Sequence, residues 1–465
     1  MRKRFYLIIF LIILLTVTAL TAITIQDNNI NEKINNVKAI VGLETKDNYE
    51  PEDKYEVVTI EVNNYDELKK EIEKTSKKEN KSYIFNLNDG DYNITDTITC
   101  GNYHNDAQYT INGNNHIIDG NNKQQFMKAY SNLKIKDLTV QNTVPVNTNS
   151  SSGITMITAS ELYMKNCSFI NNYGKNKGSA VTNRGTGHII GCTFINNTVD
   201  ELGGAIWSNG EFGGSITIKD CIFKENIANI QTNNDKTSIV YMVSYGNNTI
   251  ENNQFINNTG RCIHSFNQTN TRIINNKFID NHMNEEGVIR GGLIDNYEAD
   301  IQISGNEFIN DTTKGELRGG ILYHEIGNME FTDNKVENIN INPDPTSIST
   351  CSKGGVIFNR NATVKIENNE FNNVLIGNYS RGGVIYNNLG NITIKGNKFN
   401  NSIEGNHLRG LIVFNDVNGV LSVGNNTLNT SYDGSLHPKY DDENFYNSDV
   451  PNEEGNGIKG VTNFI

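Results

Sequence analysis

The stretches Asn248–Asn258 (NTIENNQFINN), Ile301–Asp311 (IQISGNEFIND) and Ile392–Asn401 (ITIKGNKFNN) decide the fold, because they are one unit repeated. The same unit is recognisable at Leu133–Asn142, Leu162–Asn172, Ile216–Asn226 and Val364–Asn373. Aligned on its large apolar residue, it recurs eleven times: Val140, Phe169, Phe194, Phe223, Phe255, Phe278, Phe308, Val336, Phe371, Phe399 and Leu428. Five residues before each anchor the chain is always apolar, from Ile135 through Ile218 and Phe331 to Val423. At a hydrophobic content of 36%, chance would give that column about once in 10^5 trials. The intervening position is polar or, at Tyr163, amphipathic, which is the alternation of a strand with one buried face.

Two residues before the anchor the column reads Leu138, Cys167, Cys192, Cys221, then Asn253, Asn276, Asn306, Asn334, Asn369, Asn397 and Asn426. Stacked about 4.8 Å apart in a parallel solenoid, such asparagines can donate their amides to the carbonyls of the coil below. That ladder explains how a chain with 79 asparagines in 465 residues can build an interior. A glycine-led block falls between successive anchors: Gly203-Gly204-Ala205-Ile206-Trp207, Gly291-Gly292-Leu293-Ile294, Gly319-Gly320-Ile321-Leu322-Tyr323, Gly354-Gly355-Val356-Ile357-Phe358 and Gly382-Gly383-Val384-Ile385-Tyr386. Three short strands per coil predict an all-β fold, a right-handed parallel β-helix of about eleven to thirteen coils, with the eleven repeats over 131–430. Residues 57–130 should supply irregular first coils and a cap. Within them Asn64 and Glu67 have capping-box spacing, and Leu68 and Ile72 share a helical face.

The Gly-Gly-Ala-Ile block and the Phe-x-x-Asn units (Phe169 to Asn172, Phe194 to Asn197, Phe223 to Asn226, Phe255 to Asn258, Phe278 to Asn281) resemble the repeats of polymorphic outer-membrane proteins. The whole arrangement, over roughly 57–430, resembles the Asn/Thr-rich adhesin-like surface proteins of methanogenic archaea. That resemblance implies a pectate-lyase-type β-helix and a role at the cell surface. The polar tail 431–465 departs from both groups, with neither a translocator barrel nor an evident anchoring domain.

Met1-Arg2-Lys3-Arg4 followed by uncharged Phe5–Ile25 reads as a signal peptide or a retained N-terminal anchor, with 26–465 outside the cell. Residues 26–56 are expected to be a solvated polar spacer. Membrane contact is then confined to residues 5–25. With a net charge of −13 and no basic run beyond the N-terminus, nucleic acid is an improbable partner.

Arg290, Arg318, Arg381 and Arg409 each precede the glycine-led block of a coil, and Lys353 fills the gap. Such a column calls for neutralisation by Glu286, Glu316 and Glu404 or by a bound anion. Beside it runs an aromatic column, Trp207, Tyr323, Phe358, Tyr386 and Phe414, which would stack sugar rings if turned outward and be core if turned inward. The ligand-binding set is therefore Arg290, Arg318, Arg381, Arg409, Trp207, Tyr323 and Tyr386, with surface glycans or proteins as partners. No cofactor is implied and no metal-ligand spacing appears. Catalytic candidates, Asp295, His324 and Glu325 with Arg318 nearby, are scattered over different columns, and His188 reads as a plain outward residue. An adhesin-like recognition protein is the favoured function; a polysaccharide lyase or hydrolase is the rival. Cys167, Cys192 and Cys221 read as buried thiols standing in for asparagine.

Overall fold

A computed structural model of the chain describes residues 49–464, apart from 77–79, 105, 147–150, 211–212, 230–236, 267–269, 343–351, 377–379, 405–408, 417, 430, 434–444 and 448–460. The hydrophobic segment 5–25, most of the spacer and Cys351 lie outside the described residues. Among those described, no helix is long and apolar enough to cross a membrane.

The chain winds into a right-handed parallel β-helix with three long sheets and three short ones of two to four strands, all of whose pairings are parallel. Sheet I holds fifteen strands, from Val57–Val62 to Val461–Phe464. Sheet II holds thirteen, from Tyr92–Asn93 to Thr427–Leu428, and sheet III thirteen, from Ile98–Cys100 to Phe445–Asn447. One coil reads Ile216–Lys219 in sheet I, Ile222–Lys224 in sheet II, then a loop and Val240–Ser244 in sheet III. The expected order of the three strands is the observed one.

Register pairs the expected columns residue on residue. Phe169, Phe194, Phe223, Phe255, Phe278 and Phe308 stack with centroids 4.7–5.4 Å apart and planes within 10°. Where the anchor shrinks to Val336, Phe331 of the facing apolar column fills the gap, 6.2 Å from Phe308 and 6.3 Å from Phe371. Large and small side chains thus alternate to keep the lumen filled.

The asparagine ladder forms with a defined bond pattern. Asn276 donates Nδ2–H to the Ile250 carbonyl of the preceding coil (2.9 Å) and to Oδ1 of Asn306 (3.0 Å), and its backbone N–H also reaches that Oδ1 (2.8 Å). Asn253, Asn306, Asn334, Asn369 and Asn397 repeat the arrangement. Cys167 and Cys221 use Sγ in the amide's place, toward the Ile135 and Ile189 carbonyls, and burial pushes the Cys167 and Cys192 thiols well up.

A second use of asparagine was not anticipated. The residue three before each anchor, from Asp137 and Asn166 through Asp220 and Gly305 to Asn425, has φ between +51° and +69° in all eleven repeats. Asn, Asp and Gly occupy every one of these sites, because they are the residues that enter the left-handed region at least cost. The corner between sheets I and II is therefore an Asn/Asp/Gly turn followed at once by the ladder residue.

At the start of the solenoid the helix Tyr65–Thr75 buries Leu68 and Ile72 against the core, as expected. Asn64 accepts the Glu67 N–H, but the Glu67 carboxylate turns to Asn63 instead of closing a reciprocal box. Two boundaries shift. The end of the supposed spacer, Tyr49–Lys54, lies across the outer face of sheet I. There Tyr163 donates to the Tyr49 carbonyl (2.9 Å), Tyr49 to Glu161 (3.0 Å) and Lys134 to the Pro51 carbonyl (2.7 Å). Beyond residue 430 pairing continues, Ser402–Glu404 with Ser431–Asp433, Val413–Asn415 with Phe445–Asn447, and Val420–Val423 with Val461–Phe464.

Replacing Asn306 with Leu removes an acceptor from two buried donors of Asn276 and should cost roughly 2–4 kcal/mol. Gln302→Ala, on the outward face of the same coil, should cost less than about 0.5 kcal/mol. Denaturant midpoints of the two variants check this, and an unchanged midpoint for Asn306→Leu would remove the ladder from the account of stability.

Candidate functional site

Sheet III carries the aromatic column. Its register places Thr182, Trp207, Tyr241, His264, Asp295, Tyr323, Phe358, Tyr386 and Phe414 on successive coils. The preceding residues, such as Ile206, Leu322, Ile357, Ile385 and Val413, belong to the main core, so the column stands on the opposite face of the strand. Tyr323, Phe358, Tyr386 and Phe414 form a separate cluster that is 0–3% exposed. The column thus meets neither sequence expectation in full: it faces away from the lumen, yet it is covered.

The cover is the basic column. Backbone pairing sets Arg290 beside Arg318, and bridges continue through Lys353 and Arg381 to Arg409, one cation per coil on five coils. Each of these side chains is half-buried. Arg290 sits 5.3 Å from the Tyr323 ring centre, Lys353 5.3 Å from Tyr386 and Arg381 5.6 Å from Phe414, each cation lying over a ring of a later coil. Lys177 does the same at Trp207, 4.3 Å away. Ring quadrupoles therefore take part in neutralising the column. Glu286 and Glu404, two of the expected neutralisers, have side chains outside the described set.

Stacking consumes the ring faces. Tyr323, Phe358, Tyr386 and Phe414 follow one another at 5.0–5.3 Å with planes within 8°. Tyr323 and Tyr386 are buried beneath the cations and so present no open face for a sugar ring. Trp207 is 5% exposed beneath Lys177. What the site offers a ligand is the guanidinium and ammonium groups themselves, held in line by rings beneath them.

Carboxylates edge the strip. Glu325, 8% exposed, accepts from the Tyr323 hydroxyl and pairs with Arg360 (3.1 Å) and Arg290 (3.8 Å). The Tyr386 hydroxyl donates to Asp416. Burial, and then hydrogen bonding to Glu325, pushes the Tyr323 phenol up; burial, and then the charge of Asp416, does the same to Tyr386.

The catalytic candidates separate. Asp295 is buried in the ring column, 3.0 Å from Nδ1 of His264 and 3.9 Å from Arg261, on the same outer face of sheet III as Glu325 but one coil before it and two residues away along the strand. His264 stacks on Tyr241 at 4.8 Å and was missed in the sequence. Its coil lacks the Gly-Gly lead, and the usable signal was the pair Ile263-His264 at the offset of Ile206-Trp207. His324 points inward to a separate ladder in sheet III, Asn296, His324, Asn359, Asn387 and Asn415. There the Asn296 amide meets His324 Nδ1 at 2.9 Å, and Asn359 and Asn387 each donate to the next Oδ1 at 2.8 Å. His188 faces outward, where the Tyr49 ring packs on it at 4.4 Å. A small open cleft lies between Pro51–Asp53 and Gln108, Lys134 and Tyr163 on sheet I, away from the charged strip.

No protein-family model matches the chain, and no curated protein sequence matches it. Among solved structures it is similar to a mannuronic acid-specific polysaccharide family 6 lyase from human gut microbiota, at 14% identity and a TM-score of 0.34, covering 88% of this chain and 91% of that one. It is also similar to PfbA, a surface adhesin of Streptococcus pneumoniae, at 12% identity and a TM-score of 0.32, covering 86% and 96%.

Burial drives the His324 pKa down to about 4. An unfolded histidine titrates near 6.5, so stability is full above about pH 6.5 and falls as the pH drops from there through 4. Asn at this position would continue the ladder without a titrating ring. His324→Asn should therefore melt higher than the wild type at pH 5 by a margin that shrinks toward pH 8; equal margins at both pH values would contradict a buried neutral ring.

Proposed function

We propose that the protein is an exported surface protein that recognises glycans or proteins of another cell through the outer face of sheet III. The observation that carries this reading is the column Arg290, Arg318, Lys353, Arg381 and Arg409, one half-buried cation per coil over stacked rings. A rigid strip with one positive charge every ~4.8 Å suits an extended partner bearing repeated carboxylate or sulfate groups. The basic start and apolar run of residues 2–25 support export, and the overall charge of −13 argues against nucleic acid. Among the expected ligand residues the four arginines make the direct contacts, while Trp207, Tyr323 and Tyr386 act from beneath, as the bed on which the cations rest.

A carbohydrate-active enzyme is the second reading, favoured by Glu325 in its setting of Tyr323, Arg290 and Arg360. Two carboxylates flanking a bond are the usual requirement for glycoside hydrolysis, and here Asp295 is buried against His264.

Screening the full chain against arrays of neutral and anionic glycans tests both. Recognition predicts binding without turnover, weakened about tenfold or more by Arg318→Ala or Arg381→Ala and weakened by salt. It also predicts tighter anion binding by Glu325→Gln, which removes a negative charge from beside Arg290 and Arg360. Cleavage of a polysaccharide, lost in Glu325→Ala or Asp295→Ala, would replace recognition with catalysis; binding indifferent to every arginine substitution would remove the strip from the function.

A further inference from the structure

The Phe-x-x-Asn units build another ladder, on the far side of sheet II from the first. Asn172, Asn197, Asn226, Asn258 and Asn281 each donate Nδ2–H backward to a carbonyl and forward to the next side-chain oxygen. Asn258 gives to the Phe223 carbonyl at 2.9 Å and to Asn281 Oδ1 at 2.9 Å. Asn281 gives to the Phe255 carbonyl at 2.9 Å and to Oδ1 of Asp311 at 3.0 Å, and its backbone N–H reaches the same oxygen at 2.8 Å. At residue 311 the amide has become an acid, and after it the column turns apolar at Ile339 and Val374.

Oδ1 of Asp311 does what every asparagine oxygen below it does. Oδ2 does not: it occupies the place of the ladder's Nδ2, is buried, and has no hydrogen-bond partner. By the spacing of the ladder, the group it should meet is the Phe278 carbonyl, an acceptor with no proton to give. A bare carboxylate there is repelled; a carboxylic acid donates O–H and restores the missing rung.

We infer that Asp311 is a proton-binding site, a neutral acid that completes the second ladder and holds the coil entering Thr312–Arg318 more tightly when protonated than when ionised. The strand that begins at the next residue ends at Arg318 of the basic column, so the switch sits at the root of a candidate ligand contact. Burial above all pushes this carboxyl up to about 7, with hydrogen bonds from Asn281 and from the backbone of Ile309 opposing and the charge of Asp280 adding to the rise. The titratable groups around it are Asp280 on the preceding turn, the buried Cys262 thiol and His282, whose Nδ1 lies 2.7 Å from Thr312 Oγ1.

The sign follows from linkage. An unfolded aspartate titrates near 3.9, so folding takes up a proton between that value and about 7. The contribution of Asp311 is greatest in acid, falls as the pH rises through about 7, and is level above it. Asp311→Asn supplies the missing donor at every pH. Its melting temperature should exceed that of the wild type by several degrees at pH 8, and the gap should close toward pH 5. Taking the difference between the two proteins cancels the opposite trend from His324. Carbon-detected NMR of the Asp311 carboxyl should show a midpoint above 6. A gap that is constant with pH, an Asn variant less stable than the wild type at pH 8, or a carboxyl midpoint below 5 would each overturn the inference.

Discussion

The fold depends on one constraint, that a side chain must find its own kind one coil above and one coil below. An asparagine amide meets it on both sides. Its oxygen accepts two donors from the coil before, as Asn306 does from Asn276, while its nitrogen gives to a backbone carbonyl and to the next rung. Each rung thereby satisfies backbone groups that three corners per coil would otherwise leave orphaned in a dry interior. Because a rung is only as good as its neighbours, stability passes along the stack as a chain of nearest-neighbour terms.

The same constraint explains why the substitutions that do occur are of particular kinds. A cysteine can enter the first ladder because S–H is a donor and sulfur a weak acceptor, and the backbone N–H of Cys192 does reach Cys221 Sγ at 3.4 Å. Histidine enters the sheet III ladder at 324 by accepting at Nδ1. Aspartate enters the second only at its last rung, where one side of the bond pattern is already abandoned to Ile339. Composition follows from geometry here: the three ladders and the left-handed corners draw largely on the same residue, which is why hydrophobic content stays at 36% without loss of a core.

Much of this was legible because a solenoid writes each contact as a column. The phenylalanine stack, the Asn253 to Asn426 ladder and the three-strand coil could be read by alignment within the chain. The corner column was equally readable, since Asn, Asp and Gly fill it without exception, but alternation was sought at apolar positions and that column has none. The facing of Tyr323 and Tyr386 was not readable. A glycine-led turn can enter its strand in either parity, and both parities place an aromatic residue beside a buried aliphatic one. Tyr241 and His264 escaped because their coils lack Gly-Gly, and the path of Tyr49–Lys54 across sheet I escaped because nothing repeats it.

The charged strip gains its order from what lies under it. Five like charges at adjacent coils repel, and long side chains on a free surface would splay to lower that repulsion. Here Arg290, Lys353 and Arg381 are drawn down onto rings whose own positions are fixed by stacking, and Glu325 ties Arg290 to Arg360. In the proposed recognition, the aromatic column acts by restricting the cations that cover it, which lowers the entropy a bound partner must overcome. A sugar need not touch Tyr386 for Tyr386 to matter. Truncating that ring takes away the surface on which Lys353 rests and leaves a gap beneath the strip, so a loss of binding there reports the loss of alignment and not of a stacking contact.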